Sequence, residues 1–150
     1  MAVGALCDLG VDAEELRAEL AKLPLAGEFH VQLDRQIRCG IEGTKFDVLL
    51  TASPRQHVLK APAHHGRTFA EIRKMIEGSE LSEFVKKRAV AVFQRIAVAE
   101  GKIHGMPPEA VHFHEVGAVD SIVDIVGFCV ALELLGSPRV LASALVEGTG

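Results

Sequence analysis

At 150 residues the chain is one domain's length, and 49% hydrophobic residues, mostly Val, Leu, Ala and Ile, are enough for a core. With no Trp or Tyr, only seven Phe and a net charge of −4, it lacks the stacking platform and the basic footprint of a nucleic-acid binder. Three cysteines without CxxC spacing indicate neither a disulfide framework nor a thiolate zinc site. No apolar run is long and uninterrupted enough to span a membrane, so a cytoplasmic protein is expected.

Helical spacing of Met1, Ala2, Ala5, Leu6 and Leu9 predicts a first helix, ended by Gly10. Asp12 is placed to N-cap a second helix, Ala13 to Leu23, with Glu15 in the capping-box position, Leu16, Leu20 and Leu23 inward, and Pro24 as the stop. Phe29, Val31 and Leu33 then alternate with His30, Gln32 and Asp34, the pattern of a half-buried strand with His30 facing outward. A second strand follows at Lys45 to Leu50, with Phe46, Val48 and Leu50 on one face. Gly40 and Gly43 supply turn or bulge geometry between the two.

From Thr51 to Gly66 the periodicity dissolves into a surface loop of roughly sixteen residues, broken by Pro54 and Pro62 and carrying the adjacent His64 and His65. Thr68 caps a short helix with Glu71 at the capping-box position, Ile72, Met75 and Ile76 inward, and Gly78 at its end. Ser82 starts a long amphipathic helix with an apolar stripe of Val85, Ala89, Val92, Phe93, Ile96 and Ile103. Its Lys86-Lys87-Arg88 run reads as a solvated face. His104, in the last turn, complements the helix dipole.

After Pro107-Pro108 comes the stretch most loaded with chemistry, His112 to Gly127, HFHEVGAVDSIVDIVG. In an extended segment His112 and His114 point one way and Phe113 the other. The helix that follows is apolar almost all round and therefore belongs in a core. On it Asp120, Asp124, Gly127 and Ala131 fall within roughly 60° of one another at about 100° per residue. Buried carboxylates must be paired, hydrogen-bonded or bound to a cation. Gly127 and Ala131 remove bulk from the same face, leaving room for something to approach the backbone.

Two readings of this stretch stand side by side. Imidazoles and carboxylates gathered where a strand-like segment meets a helix suit a borderline transition metal such as Ni, Zn, Fe or Co, or general acid and base work. Alternatively Asp120 or Ser121 simply N-caps the helix, with Ser121 and Asp124 as a variant capping box. A metal-dependent hydrolase is a further alternative, since H-x-H followed by Asp occurs in such sites; it needs another His or Asp at a strand end. After Gly136, Arg139 to Val146 reads as a third strand. The expected fold is α+β, a small mixed sheet containing the 29–50 hairpin and the 139–146 strand, packed against several helices.

VHFHEVGAVDSIVDIVG followed by ALELLG resembles the signature of the LarC family, nickel-insertion proteins that complete the nickel-pincer cofactor of lactate racemase. GALCDLGVDAEELRAEL, GIEGTKFDV and TFAEIRKMIEGSELSEFVKKRA agree with it, so the resemblance covers essentially the whole chain. It implies a nickel chelatase, more strictly a cyclometallase and classed as a lyase. Such a protein inserts nickel into pyridinium-3,5-bisthiocarboxylic acid mononucleotide, making nickel–sulfur and nickel–carbon bonds at the expense of CTP. On that resemblance His112 and His114 are expected to bind metal, with His64 and His65 loading it. Glu115 is the candidate base or a partner behind the ligands, and with Asp120 a candidate catalytic residue; Asp120 and Asp124 are expected to complete or orient the metal's shell, and Asp124 and Gly127 are the candidate cofactor-binding positions.

Against the family pattern, the chain begins at the Met of a Gly/Ser/Asp-rich turn that usually follows a first strand. It keeps only His64-His65 of a histidine-rich loop, and it lacks the C-terminal half associated with CTP and a divalent cation. The implied partners are the nickel-free precursor and either a C-terminal LarC part or further copies of the chain. A noncatalytic nickel-binding module serving such a partner is the companion reading.

Overall fold

A computed structural model of the protein describes residues 2–25, 27–51, 66–113, 115–144 and 148. Seven elements follow in order: α1 (Ala2–Asp8), α2 (Ala13–Leu20), β1 (Phe29–Arg38), β2 (Ile41–Leu50), α3 (Phe69–Glu77), α4 (Glu83–His104) and α5 (Val119–Leu134). A single 3-10 turn, Pro108–Ala110, precedes α5. The fold is α+β, an antiparallel hairpin packed among five helices, as the sequence predicts.

β1 and β2 pair without interruption from Phe29 opposite Leu50 to Arg38 opposite Ile41. The two-residue turn between them places Cys39 at φ 51° and Gly40 at φ 77°. Positive φ at both central positions is what a hairpin turn with the right twist requires. Gly43 does not bulge. It stays in register opposite Gln36, and its missing side chain admits Asp8, whose Oδ2 lies 3.4 Å from where a Cβ would stand.

The third strand does not form over residues 139–144. Among the described residues no ladder includes them, and Val140 and Leu141 are 63% and 76% exposed. Residues 145 and 146 lie outside the described residues. The described sheet is therefore antiparallel rather than mixed. Apolar alternation marks a segment that can pair, but a strand exists only where a neighbouring backbone takes up its amides.

Helix caps follow the sequence closely. Asp12 accepts the amides of Glu14 and Glu15, each at 2.9 Å, although α2 stops at Leu20 rather than Leu23. α3 has the full reciprocal capping box between Thr68 and Glu71, and α4 ends on a left-handed Gly105. The apolar stripe of α4 departs from expectation: Val92 and Ile103 are exposed, and Ala97 and Gly101 are buried in their place.

At about 100° per residue Ile103 is in phase with Val85, but the buried side turns along the helix. α3 and α5 both pack on α4. Its second half meets the 3-10 turn, where a Cβ on Gly101 would lie 2.7 Å from the Met106 carbonyl oxygen.

α5 is the centre of the core. Ile122, Val123, Val126, Cys129, Val130 and Ala131 are buried, and α1, α2, α4 and β2 pack around them. Burial pushes the Cys129 thiol up to about 11. α1 lies so close to β2 that a Cβ on Gly4 would fall 2.0 Å from the Thr44 carbonyl oxygen. Asp8 fastens the end of α1, accepting the Thr44 amide at 2.9 Å and the Thr44 hydroxyl at 2.7 Å while pairing with Arg35.

These bonds, led by the Thr44 amide, hold the Asp8 carboxyl below its ordinary range. A depressed folded value means that the stabilisation is present above the unfolded carboxylate value, about 3.9, and is lost as pH falls through the lower folded one. Thermal melts taken from about pH 5 down to about pH 2 should therefore show wild type losing more stability than Asp8→Asn. Parallel acid dependence in the two proteins would refute this role for Asp8.

Candidate metal centre

The stretch with the histidines is held by backbone pairing to the start of α3. The Phe69 amide donates to the Val111 carbonyl at 3.0 Å, and the Phe113 amide to the Arg67 carbonyl at 3.1 Å. Thr68 and His112 thus face each other as an antiparallel bridge of the non-hydrogen-bonded kind, with side chains on one face and Cα atoms about 4.5 Å apart. The predicted alternation is present: Val111 and Phe113 are buried, and His112 is half-buried on the opposite side. Phe113 is the anchor, its ring centroid 6.2 Å from that of Phe93 in a tilted pair.

Beside His112 stands the cap of α3. The Glu71 amide donates to the Thr68 hydroxyl at 3.2 Å. Glu71 Oε2 in turn accepts both the Thr68 amide, at 2.7 Å, and the Thr68 hydroxyl, at 2.9 Å. Those Thr68 donors, with the charges of His112 and Arg67 behind them, hold the Glu71 carboxyl below its usual range. Arg67 completes the frame. Its guanidinium donates to the Gly117 carbonyl at 3.2 Å and pairs with Glu28 at 3.4 Å. A Cβ on Gly117 would lie 2.6 Å from the Arg67 nitrogen and 2.7 Å from the Phe113 oxygen, so only glycine fits the turn.

Neither Asp120 nor Ser121 caps the start of α5. Its N-cap is Ala118, with no side-chain hydrogen bond. Asp120 sits one position inside the helix, where Oδ1 accepts the Ser121 amide at 2.9 Å and its charge favours the helix N-terminus. The Ser121 hydroxyl turns back to the Glu115 carbonyl at 3.2 Å, which also accepts the Ala118 amide. The Glu115 backbone is thereby fixed, and the residue is exposed.

Asp124 is also exposed, at the rim of a shallow groove with Ala2, Val3, Val92, Ile125 and Phe128. Desolvation by the apolar groove raises its carboxyl, and the charges of Asp120 and Asp47 act in the same direction. Gly127 is buried, and its open face is filled by Leu20 and Phe46, whose nearest atoms lie 3.6 and 3.7 Å from a built Cβ.

His112 is thus brought to Glu71 and Arg67, and Asp124 to Asp120 and Asp47. His64, His65 and His114 lie outside the described residues. His30 is exposed on β1, as its alternation predicts, and supplies no second strand-borne ligand to a hydrolase-like site. Among the described residues no three His, Cys, Asp or Glu side chains converge to hold a metal. The imidazole of His112 is a donor of the kind Ni(II) accepts. Sequence reasoning found Glu71 only as a cap and missed Arg67 and Gly117, because nothing local says that the α3 cap and the histidine stretch share a ladder.

Fold and site together define an α+β module in which backbone pairing sets His112 against the cap of α3, just ahead of the start of α5. The chain belongs to the nickel insertion protein family, whose model matches residues 1–150. It is 45% identical over 150 residues to the pyridinium-3,5-bisthiocarboxylic acid mononucleotide nickel insertion protein of Akkermansia muciniphila, covering 100% of this chain and 36% of that protein.

The protein of the same description from Geobacillus kaustophilus is 47% identical over 150 residues, with the same coverage. That from Lactiplantibacillus plantarum is 45% identical over 161 residues, covering 38% of its length. The chain thus spans a little over a third of these relatives. No solved structure matches it. No helix among the described residues is long and apolar enough to cross a membrane.

Replacing Gly117 with Ala should force the turn away from Arg67 and cost about 1–3 kcal/mol, with faster hydrogen exchange at the Phe113 amide. Urea unfolding and exchange rates equal to wild type would show that the turn does not depend on this contact.

Proposed function

We propose that this chain is the nickel-handling part of a protein that inserts nickel into pyridinium-3,5-bisthiocarboxylic acid mononucleotide by CTP-dependent cyclometallation. The observation that carries the reading is the position of His112, half-buried beside a carboxylate at the start of α3, in a chain of this family. Arg67, two residues after His65, is hydrogen-bonded to Phe113, the neighbour of His114. In this reading His64 and His65 take up the ion and His112 and His114 hold it.

Nickel is cargo here, so it must be released. Imidazole and carboxylate ligands exchange more readily than thiolates, and Ni(II) accepts them in tetragonal or octahedral geometry. Forming a nickel–carbon bond requires the pyridinium ring carbon to lose its proton. Glu115 and Asp120, exposed on the turn and first helical turn beyond His112, are the groups in this reading that take it.

Asp124 marks the precursor side in this reading, offering a carboxylate at the groove rim, whereas Gly127 is buried against Leu20 and Phe46 and serves the packing of the helix instead. CTP and its divalent cation fall to the remainder of the protein that the relatives contain, supplied in the same polypeptide, as a separate C-terminal part or within a homo-oligomer. Because the chain covers only 36–38% of those relatives, a nickel-binding module without turnover of its own is the companion reading.

Titration of the purified chain with nickel should show binding that weakens at least about tenfold, roughly 1.4 kcal/mol, when His112 and His114 are both replaced by Ala, with the fold monitored by circular dichroism. Unchanged affinity rejects the ligand assignment. Insertion assays with and without an added C-terminal part then separate catalyst from module.

A further inference from the structure

We propose that Glu71 is a positioning residue for His112, a carboxylate that orients the imidazole toward nickel; this rests on the ligand assignment above. Three observations converge on it. Thr68 and His112 form a non-hydrogen-bonded antiparallel pair, so their side chains leave the ladder on the same face. Glu71 is tied to Thr68 by both the amide and the hydroxyl, which carries its carboxylate to that face. Both Thr68 donors go to Oε2, so the cap itself occupies a single oxygen.

A capping box is served equally by Gln or Glu. The negative charge favours the helix end, and the same carboxylate lies on the face of the ladder that His112 shares. A carboxylate beside a ligating imidazole sets its tautomer and orientation and makes it a better donor. Losing such a partner weakens metal binding about 10–100-fold. The α3 cap thus acquires a second task, coupling the helix start to the ligand opposite it.

The test uses nickel alone as probe on the intact chain and compares wild type with Glu71→Gln, His112→Ala and the double variant. Glu71→Gln keeps an acceptor for Thr68 and should lower the thermal midpoint only modestly, through the lost charge at the helix end, while weakening nickel binding about tenfold or more. The double variant should then bind no more weakly than His112→Ala, since Glu71 acts through that ring.

Glu71→Asp, which keeps the charge, should recover most of the affinity. Wild-type binding by Glu71→Gln alongside weak binding by His112→Ala overturns the proposal and leaves the ligand assignment standing. So do additive losses in the double variant. Wild-type binding by His112→Ala overturns the ligand assignment, and this inference with it. Should Glu71→Gln not fold, the Glu71→Asp affinity decides, with a loss equal to that of His112→Ala counting against the proposal.

Discussion

Two hydrogen bonds between residues 67–69 and 111–113 hold the rest of the site together. They join the start of α3 to the approach of α5 across more than forty residues of chain, and they work because Phe113 is driven into the core against Phe93. With Phe113 buried, an extended backbone has no choice but to turn His112 outward. With the ladder made, Thr68 must face His112, and the cap of α3 becomes part of its surroundings. Arg67 and Gly117 then close the turn that leads into α5. Side chains that a metal would find attractive are thus placed by main-chain pairing and one buried ring, elements that do not themselves touch a ligand.

The other side of the molecule follows the same economy. α5 is apolar enough to be surrounded, and α1, α2, α4 and β2 surround it. Close approach is allowed by glycine: Gly4 against the Thr44 carbonyl, Gly127 against Leu20 and Phe46. Polar fastening is kept to the ends, where Asp8 gathers Thr44 and Arg35. The carboxylates of α5 sit at its exposed beginning, with Asp120 on the first turn and Asp124 at the groove rim. The same helix therefore serves as core along most of its length and offers charge at one end.

A protein that carries nickel to a substrate is built around exchange rather than storage. Imidazole and carboxylate groups at a half-buried position, backed by a hydrogen-bonded ladder, are the exchangeable kind of donor that the proposed function calls for. The chain spans a little over a third of the length of the relatives it matches.

Local rules were enough for much of this protein. The alternation of Phe29, Val31 and Leu33, the caps at Asp12, Thr68 and Ser82, and the apolar run of α5 each encode their element within a few residues, because hydrogen bonding at helix ends and strand periodicity are local. The outward turn of His112 was legible for the same reason.

Tertiary contacts decided the rest. Ile103 shares a phase with Val85 yet is exposed, because the 3-10 turn covers the other side of α4 at that end. Residues 139–144 have strand composition and no described strand beside them. The α3 cap reads as an ordinary helix start until the ladder sets it opposite His112. Which groups meet depends on backbone pairing between segments far apart in sequence, and nothing in either segment alone encodes that pairing.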